Sequence, residues 1–314
     1  MALQLSPLPG QDAFGTVVTG LTSADVEKPD VQAELRKIWI DRGVVVFRGV
    51  DGGEETHIRL SRVFGDLQDH EMFKHLPGRR PELIDLIYDS SEGEVYEIDG
   101  QKQGAWLPWH SDLIYTDQIN RGGILRALEL PKKGGGQTGF IDRIHTYNLL
   151  PEELKAKVEG LNVLYRPNFN PENQRFGKNP KMRITAETPR MIRANNENRP
   201  RTVHPLVYKQ NETGRKVLNV SPWFAEAIEG MENAEGDAIL KAVIEHSIRP
   251  DLAYFHEWQV GDMVLWDNWR MMHSANGVAI DDRRAMQRTT IAGDYALGRT
   301  EGGQARENDL RLTA

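Results

Sequence analysis

The segment LPWHSDLIYTDQ, residues 107–118, places a histidine and an aspartate in an otherwise apolar and aromatic run. Successive side chains of a β-strand alternate between its two faces, so His110 and Asp112 would share one face and Ser111 the other. Two histidines and one carboxylate, with coordination positions left open, are the ligand set that suits non-haem Fe(II). The segment therefore predicts part of a metal site that needs a further ligand from elsewhere in the chain.

A histidine and an aspartate at this spacing are a weak signal when taken alone. Among nine histidines, only His110 has an acid two residues on, and no H-E-x-x-H motif or other close histidine pair is present. The alternative interpretation is that His110 and Asp112 simply pair with each other or with backbone groups. The metal hypothesis depends on a second cluster of polar residues.

That second cluster is WDNWRMMHSANGVAIDDRRAMQRTTIAGD, residues 266–294. His273 closes the apolar run VLWDNWRMMH, where a lone histidine is more often a satisfied core residue than a ligand. Arg284 and Arg288 are an even number of residues apart and would share a strand face. If that face is exposed to solvent, the two arginines form an ordinary basic surface. If it points inward, each can bind a carboxylate or sulfonate. Because the chain is acidic overall, we favour a pocket for anionic ligands.

Strands predominate among the elements that must position these groups. Helical spacing is found at residues 30–43, 54–67, 151–161 and 235–248. Strand-like runs occur at residues 14–21, 44–50, 82–88, 122–131, 202–209, 216–221, 262–268, 271–275 and 287–295. The segment KKGGGQTGFID, residues 132–142, is interpreted as a turn, and residues 68–108 and 165–200 as two long irregular segments. The pattern predicts one domain with an antiparallel β core, flanking helices and two long loops.

Composition excludes several kinds of site and partner. The chain of 314 residues has no cysteine, so disulfides, thiolate nucleophiles and zinc–thiolate sites are excluded. A formal charge of −7 argues against a nucleic-acid partner held through its phosphates. No run of about 18 apolar residues and no signal-like N-terminus is found, so we expect a soluble, cytoplasmic protein without a membrane partner.

The motifs WHSD, GGGQTGF, VLWDN, MMH and RRAMQR follow one another in an order that resembles the TauD/TfdA family of Fe(II)- and 2-oxoglutarate-dependent dioxygenases. The resemblance extends from about Phe14 to Tyr295. It implies an α+β, mainly β fold: a double-stranded β-helix, or jelly-roll, core with flanking helices and long active-site loops. We expect a single domain over residues 1–298 and a polar, flexible tail over residues 299–314.

The resemblance also implies roles for individual residues. The facial triad that holds Fe(II) would be His110, Asp112 and His273, with no further catalytic side chain. The co-substrate 2-oxoglutarate would be bound by Thr138, Arg284 and Trp266, and O2 would take the remaining metal position. GGGQT is one residue longer than the GGDT expected in the taurine enzyme. The extra residue lies just before Thr138, at the point where the resemblance implies a contact with 2-oxoglutarate.

For the substrate, the resemblance implies contacts from Arg288 and from His70, whose alternative is an exposed loop residue. The aromatic side chains Trp106 and Tyr115 are candidates to surround the substrate, although packing is the commoner role for such residues. The expected substrate is a small organic carboxylate or sulfonate, aryloxyalkanoate-like or taurine-like.

The expected reaction is hydroxylation of a C–H bond with release of succinate and CO2, by an oxidoreductase that forms a homo-oligomer, a dimer or a tetramer. Three alternatives remain at this point. The chain could be a non-catalytic jelly roll that binds anions, or a cupin-like enzyme using Zn or Mn without a keto acid. It could also be a member of the same family that acts on an alkyl sulfate ester, an amino-acid derivative or a natural product.

Overall fold

A computed structural model describes residues 3–68, 80–89, 93–186 and 200–303. The strands of the first third are β1 (Gln4–Ser6), β2 (Thr16–Thr19), β3 (Val44–Phe47), β4 (Ile84–Tyr88), β5 (Val95–Ile98), β6 (Gln101–Gly104) and β7 (Leu107–His110). Those of the middle are β8 (Gly122–Glu129), β9 (Thr138–Asp142), β10 (Asn162–Tyr165), β11 (Met182–Ile184), β12 (Thr202–Pro205), β13 (Val207–Lys209) and β14 (Lys216–Leu218).

The remaining strands are β15 (Ala225–Ile228), β16 (Ala253–His256), β17 (Met263–Asp267), β18 (Met271–Ala275), β19 (Val278–Ala279), β20 (Arg284–Arg288) and β21 (Arg299–Thr300). The α-helices are α1 (Pro29–Arg42), α2 (Gly53–Arg62), α3 (Arg143–Asn148), α4 (Glu152–Val158) and α5 (Ala234–Ser247). The predicted mainly β class with flanking helices is confirmed.

Two sheets carry most of the residues singled out by the sequence. The larger has seven strands in the order β1-β2-β3-β17-β8-β20-β4, with β2 and β3 parallel and the other pairs antiparallel. The smaller is antiparallel, in the order β16-β9-β18-β7. Three further small sheets have the orders β15-β10-β12-β21, β11-β5-β6-β19 and β13-β14.

Strands β3 and β17 are apolar on both faces because both faces of the larger sheet are covered. On one face, Val45 and Leu265 join a core cluster with Leu35 and Trp39 of α1. On the other face, Trp266 joins a cluster that also contains Phe140 of β9 and Met271 of β18, in the smaller sheet. A hydrophobic core therefore lies between the two sheets, and helices cover the outside of the larger one.

The predicted helix at residues 30–43 begins and ends where its signals indicate. Pro29 occupies its first turn, where the missing N–H has no helical partner to lose. Gly43 follows its last residue with φ 76°, a conformation that favours glycine. The predicted helix at 235–248 matches α5, which Asn233 caps by accepting hydrogen bonds from the backbone N–H groups of Glu235 and Gly236.

The predicted strands at 262–268 and 271–275 are found as β17 and β18, which lie in different sheets, but His273 lies inside β18 rather than at a strand end. Two other predictions about strands were wrong. The supposed turn at 132–142 contains β9, a central strand of the smaller sheet. The supposed irregular segment before residue 108 contains the hairpin of β5 and β6.

The described chain ends at residue 303. Strand β21 pairs with β12, so the sheets continue two residues past the predicted domain end at residue 298. Residues 304–314 of the predicted tail lie outside the described residues, and a single domain over 1–298 stays a prediction. Within the described ranges, no helix is both long and apolar enough to cross a membrane.

Candidate metal centre and active-site cavity

The smaller sheet brings the two predicted histidine ligands together. His110 ends β7 and is the Cα partner of His273 in the adjacent strand β18. Asp112 completes the group: its Oδ1 lies 3.7 Å from His110 Nε2 and 3.5 Å from His273 Nε2. One ligand atom from each of these buried residues lies within 4.8 Å of the others, a spacing at which one ion can bind all three.

The position of Asp112 does not result from strand alternation, because Asp112 lies beyond the end of the strand. Strand β7 ends at His110, and the chain turns through Leu113, whose φ is 55°. Asn268 holds the turn from the loop between β17 and β18: its Oδ1 accepts from the Asp112 N–H at 2.9 Å, and its Nδ2 donates to the Asp112 carbonyl at 3.0 Å. Arg143 in turn donates to the Asn268 carbonyl at 3.0 Å. The Asp112 carboxylate is thus positioned by buried side-chain hydrogen bonds to its backbone rather than by the backbone hydrogen bonds of a β-sheet.

Replacing Asn268 by alanine is expected to lower the free energy of unfolding by about 3 kcal/mol, because the buried N–H and carbonyl of Asp112 lose their partners. Urea denaturation measures the change. Asn276→Ala is the control, since the side-chain amide of Asn276 makes one long hydrogen bond among the described residues, 3.3 Å to Gln137 Oε1, and the substitution should cost under about 1 kcal/mol. Equal effects of the two substitutions would contradict this role of Asn268.

The ionisation and tautomers of the triad suit metal binding. The carbonyl of Pro108 lies 2.8 Å from His110 Nδ1, so this nitrogen carries the proton and leaves the Nε2 lone pair for an ion. Burial lowers the pKa of His273 to about 4, so its ring is neutral at pH 7. Burial would raise the pKa of Asp112, but Arg288 and the two histidines outweigh it and hold that pKa well below its ordinary value. A neutral His273 ring and an ionised Asp112 are ionic forms that a divalent ion requires of its ligands.

A cavity of about 470 Å³ opens beside the triad, a volume typical of sites for small molecules. Apolar and aromatic side chains make up most of its wall. The predicted residues that line it are His110, Asp112, His273, Thr138, Arg284, Trp266, Arg288 and Tyr115.

Arg284 is the strongest electrostatic feature of the cavity. Its guanidinium is buried, its Nε has no acceptor among the described residues, and no acid there pairs with it. Burial lowers its pKa to about 10. Gly136, with φ 71°, lies so close that a Cβ there would be 3.0 Å from Arg284 Nε, which accounts for a glycine in the GGG run. A buried cation without a partner marks a place for an anionic ligand.

Thr138 begins β9 and shares the cavity with Arg284. The indole of Trp258 donates to its hydroxyl oxygen at 3.3 Å. Because an indole nitrogen can only donate, the Thr138 hydroxyl keeps its own proton for another acceptor. Two unused donors, one neutral and one cationic, therefore line the same cavity.

Arg288 was predicted to contact the substrate, but in the structure it contacts Asp112. Its Nη2 donates to Asp112 Oδ2 at 2.5 Å, so it supports a candidate metal ligand directly. Its guanidinium carbon lies 4.9 Å from the ring centroid of Trp266, and its buried Nε has no partner among the described residues. The inward orientation predicted for both arginines is therefore found, and Arg288 keeps one donor for a ligand.

Several aromatic residues of the cavity were missed from the sequence. The ring of Tyr115 contacts Phe169 and Phe224 with centroid distances of 5.4 Å and 4.9 Å, and Trp223 stacks on Phe224 at 4.6 Å. Trp223 also lies edge-on to the ring of His110 at 5.3 Å. Phe169, Trp223 and Phe224 lie in segments without regular spacing, so no periodic signal pointed to them.

The two remaining predicted substrate contacts are His70 and Trp106. His70 lies outside the described residues. Trp106 packs edge-on against Tyr96 at 5.5 Å, and Tyr96 rather than Trp106 is found in the described wall of the cavity.

The chain belongs to the taurine catabolism dioxygenase TauD, TfdA family, whose model matches residues 4–290. It is 32% identical over 295 residues to an (S)-phenoxypropionate/alpha-ketoglutarate-dioxygenase of Sphingobium herbicidovorans, with 94% of this chain and 96% of the relative covered. It is 30% identical over 270 residues to an alpha-ketoglutarate-dependent 2,4-dichlorophenoxyacetate dioxygenase of Cupriavidus pinatubonensis, with 84% and 89% covered.

Among solved structures, a taurine dioxygenase from Burkholderia xenovorans is similar with a TM-score of 0.71 and 26% identity, over 96% of this chain and 95% of that chain. The family predicted from the motifs is thereby confirmed.

Proposed function

We propose that this chain hydroxylates a C–H bond of a small anionic substrate with Fe(II), O2 and 2-oxoglutarate, releasing succinate and CO2. The observation that carries the proposal is that the triad His110, Asp112 and His273 lines one cavity with Arg284, which has no acidic partner among the described residues. The prediction of an α-ketoglutarate-dependent dioxygenase, an oxidoreductase, is confirmed by the family and by the names of the relatives.

The two facing sheets would form the double-stranded β-helix of the family. Supporting this, one core cluster combines residues of β3, β8, β17 and β20 with residues of β9, β16 and β18. The metal ligands lie in or next to the smaller sheet, and the two arginines lie on β20 of the larger one. The site would therefore be assembled between the sheets.

The triad fits Fe(II), since two imidazoles and a carboxylate leave three coordination positions open. Bound there with 2-oxoglutarate and O2, the iron supplies the oxidising chemistry that the side chains lack. Arg284 and the Thr138 hydroxyl would hold the distal carboxylate of 2-oxoglutarate by charge-assisted hydrogen bonds. Trp266, whose buried Nε1 has no partner among the described residues, would contact the same co-substrate.

Trp258 would orient Thr138 for this task, because its indole N–H occupies one lone pair of the hydroxyl and directs the proton away. Replacing Trp258 by phenylalanine is expected to raise KM for 2-oxoglutarate about fivefold, the loss of roughly 1 kcal/mol of oriented hydrogen bonding. The turnover number should change less than about twofold, since the metal ligands are untouched. Steady-state kinetics at varied 2-oxoglutarate measures both.

A double-mutant cycle separates this role from packing. If Trp258 acts through Thr138, the phenylalanine substitution should have no further effect on KM in a Thr138→Ala background. Trp109→Phe is the control, because Trp109 lies in the same sheet as Thr138 but its ring packs on Phe255, with centroids 5.8 Å apart. Additive effects of Trp258→Phe and Thr138→Ala would contradict the coupling.

The substrate would place its acidic group at the free donor of Arg288 and its apolar or aromatic body along Tyr115, Phe169 and Phe224. The relatives named for phenoxypropionate and 2,4-dichlorophenoxyacetate support an acid with an aromatic body. A natural product, amino-acid derivative or alkyl sulfate ester remains an alternative within the family. A non-catalytic anion-binding protein is not favoured, because it would need no metal ligands.

The test is anaerobic addition of Fe(II) and 2-oxoglutarate, which should give a weak visible charge-transfer band that is lost in His110→Ala. Folded, iron-loaded protein without the band would exclude the proposal, and a cupin-like Zn or Mn enzyme would then be left. Succinate formation with taurine, alkyl sulfonates, sulfate esters and aryloxyalkanoates would identify the substrate class. The dimeric or tetrameric state and the cytoplasmic location stay predictions.

A further inference from the structure

A buried polar cluster next to Thr138 has no assigned task. It consists of Tyr254 and His256 of β16 and of Asp262, which immediately precedes β17. His256 and Asp262 are each 1% exposed. His256 Nε2 lies 3.0 Å from Asp262 Oδ2, and His256 Nδ1 lies 3.0 Å from the Tyr254 hydroxyl. A carboxylate, an imidazole and a hydroxyl are thus hydrogen-bonded in series.

A series of this kind can activate a nucleophile, but the surroundings of Tyr254 do not support that role. None of the three residues is among the described residues that line the cavity of the metal site. Burial raises the pKa of Tyr254 to about 12, so its hydroxyl keeps its proton at pH 7. The cluster therefore holds a position rather than supplying a reactive group.

Asp262 is the fixed end of the cluster. Arg48 donates to both of its carboxylate oxygens, from Nε at 2.9 Å and from Nη2 at 2.7 Å. Burial would raise the pKa of Asp262, but the hydrogen bonds from Arg48 and His256 outweigh it and lower that pKa to about 2. The carboxylate is ionised at pH 7 and can only accept, so the facing Nε2 of His256 carries a proton. With a partner at each ring nitrogen, the plane of the His256 imidazole is fixed.

The fixed ring of His256 contacts the tryptophan that reaches Thr138. His256 and Thr138 are Cα partners in adjacent antiparallel strands, so their side chains lie on the same face of the smaller sheet. The His256 ring lies edge-on to the ring of Trp258, with centroids 4.6 Å apart and planes at 87°. Asp262 also accepts at 3.0 Å from the backbone N–H of Gln259, the residue that follows Trp258. The cluster therefore holds both the ring of Trp258 and the backbone beside it.

We propose that His256 is a positioning residue for the binding of 2-oxoglutarate. Its ring keeps the Trp258 indole in the orientation in which the indole donates to the Thr138 hydroxyl. That hydrogen bond is 3.3 Å long, so a small rotation of the indole would break it. The inference rests on the proposed function, because it takes Thr138 as a contact of 2-oxoglutarate.

The test replaces His256 by phenylalanine, which keeps an aromatic ring and removes both hydrogen bonds. Binding of the 2-oxoglutarate analogue N-oxalylglycine is measured by calorimetry with Mn(II), so that no reaction occurs. The dissociation constant is expected to rise about fourfold, and no more than in Trp258→Phe, because His256 acts through that residue. In a Trp258→Phe background the substitution of His256 should have no further effect.

The affinity for Mn(II) itself separates positioning from a general loss of packing. It should stay within about twofold of wild type, since the cluster does not include the ligands His110, Asp112 and His273. A loosened fold would weaken the metal and N-oxalylglycine alike, which would contradict the positioning role. His246→Phe is the matched control: its Nε2 makes one hydrogen bond among the described residues, at 3.3 Å to the Thr146 carbonyl, and N-oxalylglycine binding should not change.

Tyr254→Phe keeps the inference testable if His256→Phe does not fold. This variant removes one hydroxyl, the partner of His256 Nδ1, and leaves the contact with Asp262 in place. The dissociation constant of N-oxalylglycine should rise about twofold in otherwise wild-type protein and not at all in the Trp258→Phe background.

Two outcomes would overturn the inference and leave the proposed function standing. One is N-oxalylglycine binding that does not respond to His256→Phe. The other is an equal fold-change in the wild-type and Trp258→Phe backgrounds, the result expected of a purely structural histidine. Wild-type protein that fails to bind N-oxalylglycine in the presence of Mn(II) would overturn the proposed function itself, and this inference with it.

Discussion

Replacing Asp112 by asparagine is expected to abolish succinate formation and to weaken Fe(II) binding by at least about 100-fold, more than the loss of an outer-shell partner typically costs. The substitution keeps the size of the side chain and both backbone contacts with Asn268. It removes the negative charge that offsets both the metal and Arg288, whose Nη2 lies 2.5 Å from Asp112 Oδ2. The remaining guanidinium would then repel a dication held by two neutral imidazoles.

Iron retained after anaerobic dialysis measures the first effect, and succinate formation in the presence of 2-oxoglutarate measures the second. Asp281→Asn is a suitable control, since the exposed Asp281 pairs only with the exposed Lys133 among the described residues. A variant at position 112 that kept both its iron and its turnover would exclude the proposed triad.

The sequence predicted which three residues would form the candidate metal site, but it did not predict how Asp112 is positioned. His110 and Asp112 stand out because an acid two residues from a histidine is rare in this chain. Alternation along a strand predicted a shared face, whereas the observed cause is a turn held by Asn268. Contacts between residues 156 positions apart leave no mark in local periodicity, so this cause could not be inferred from the pattern.

The same limit explains the errors in the elements. Strand β9 is buried along its whole length, so it lacks the alternation that identifies a half-buried strand, and the preceding glycines favoured a turn. Strands β17 and β18 were predicted as separate runs, and the turn at 268–270 lies between them, where buried Arg143 binds three backbone carbonyls. The local pattern marked the two strands but not the polar contacts that hold this turn.

The helices and the arginines were easier to predict, because each depends on local chemistry. Proline and glycine bound α1 through their own backbone preferences. Arg284 and Arg288 share a face, and β20 pairs with β4 in unbroken register over its five residues, although its pairing with β8 shifts register between Ala285 and Met286. Whether that face pointed inward depended on β4 and β8, the strands on either side of it.

Replacing Arg284 by methionine is expected to have effects of opposite sign on stability and on binding. The folded protein buries this guanidinium without an acid beside it, and burial lowers its pKa to about 10 from an ordinary value of 12.5. A shift of that size corresponds to roughly 3 kcal/mol of unfavourable free energy in the ligand-free protein. Methionine has a similar length and no charge, so the variant should unfold at a higher temperature than wild type when no ligand is present.

The pH dependence of this gain follows from the same shift. Below about pH 9 the guanidinium is protonated in both the folded and the unfolded protein, so the gain should be constant between pH 6 and about pH 9. Above the folded pKa of about 10, wild-type Arg284 loses its proton only in the folded state. Wild type then becomes more stable as pH rises, and the advantage of the variant should shrink.

Binding should change in the other direction. In the proposed function the guanidinium would bind the distal carboxylate of 2-oxoglutarate, so losing it should raise the dissociation constant of the co-substrate by roughly 100-fold. The rise in unfolding temperature that 2-oxoglutarate gives wild type should accordingly vanish in the variant. Calorimetry and thermal denaturation measure the two effects, with Arg283→Met as the control because Arg283 is exposed and pairs with Glu129. A structural arginine would give a less stable variant with unchanged binding, so the opposed signs separate a ligand-binding cation from a packing residue.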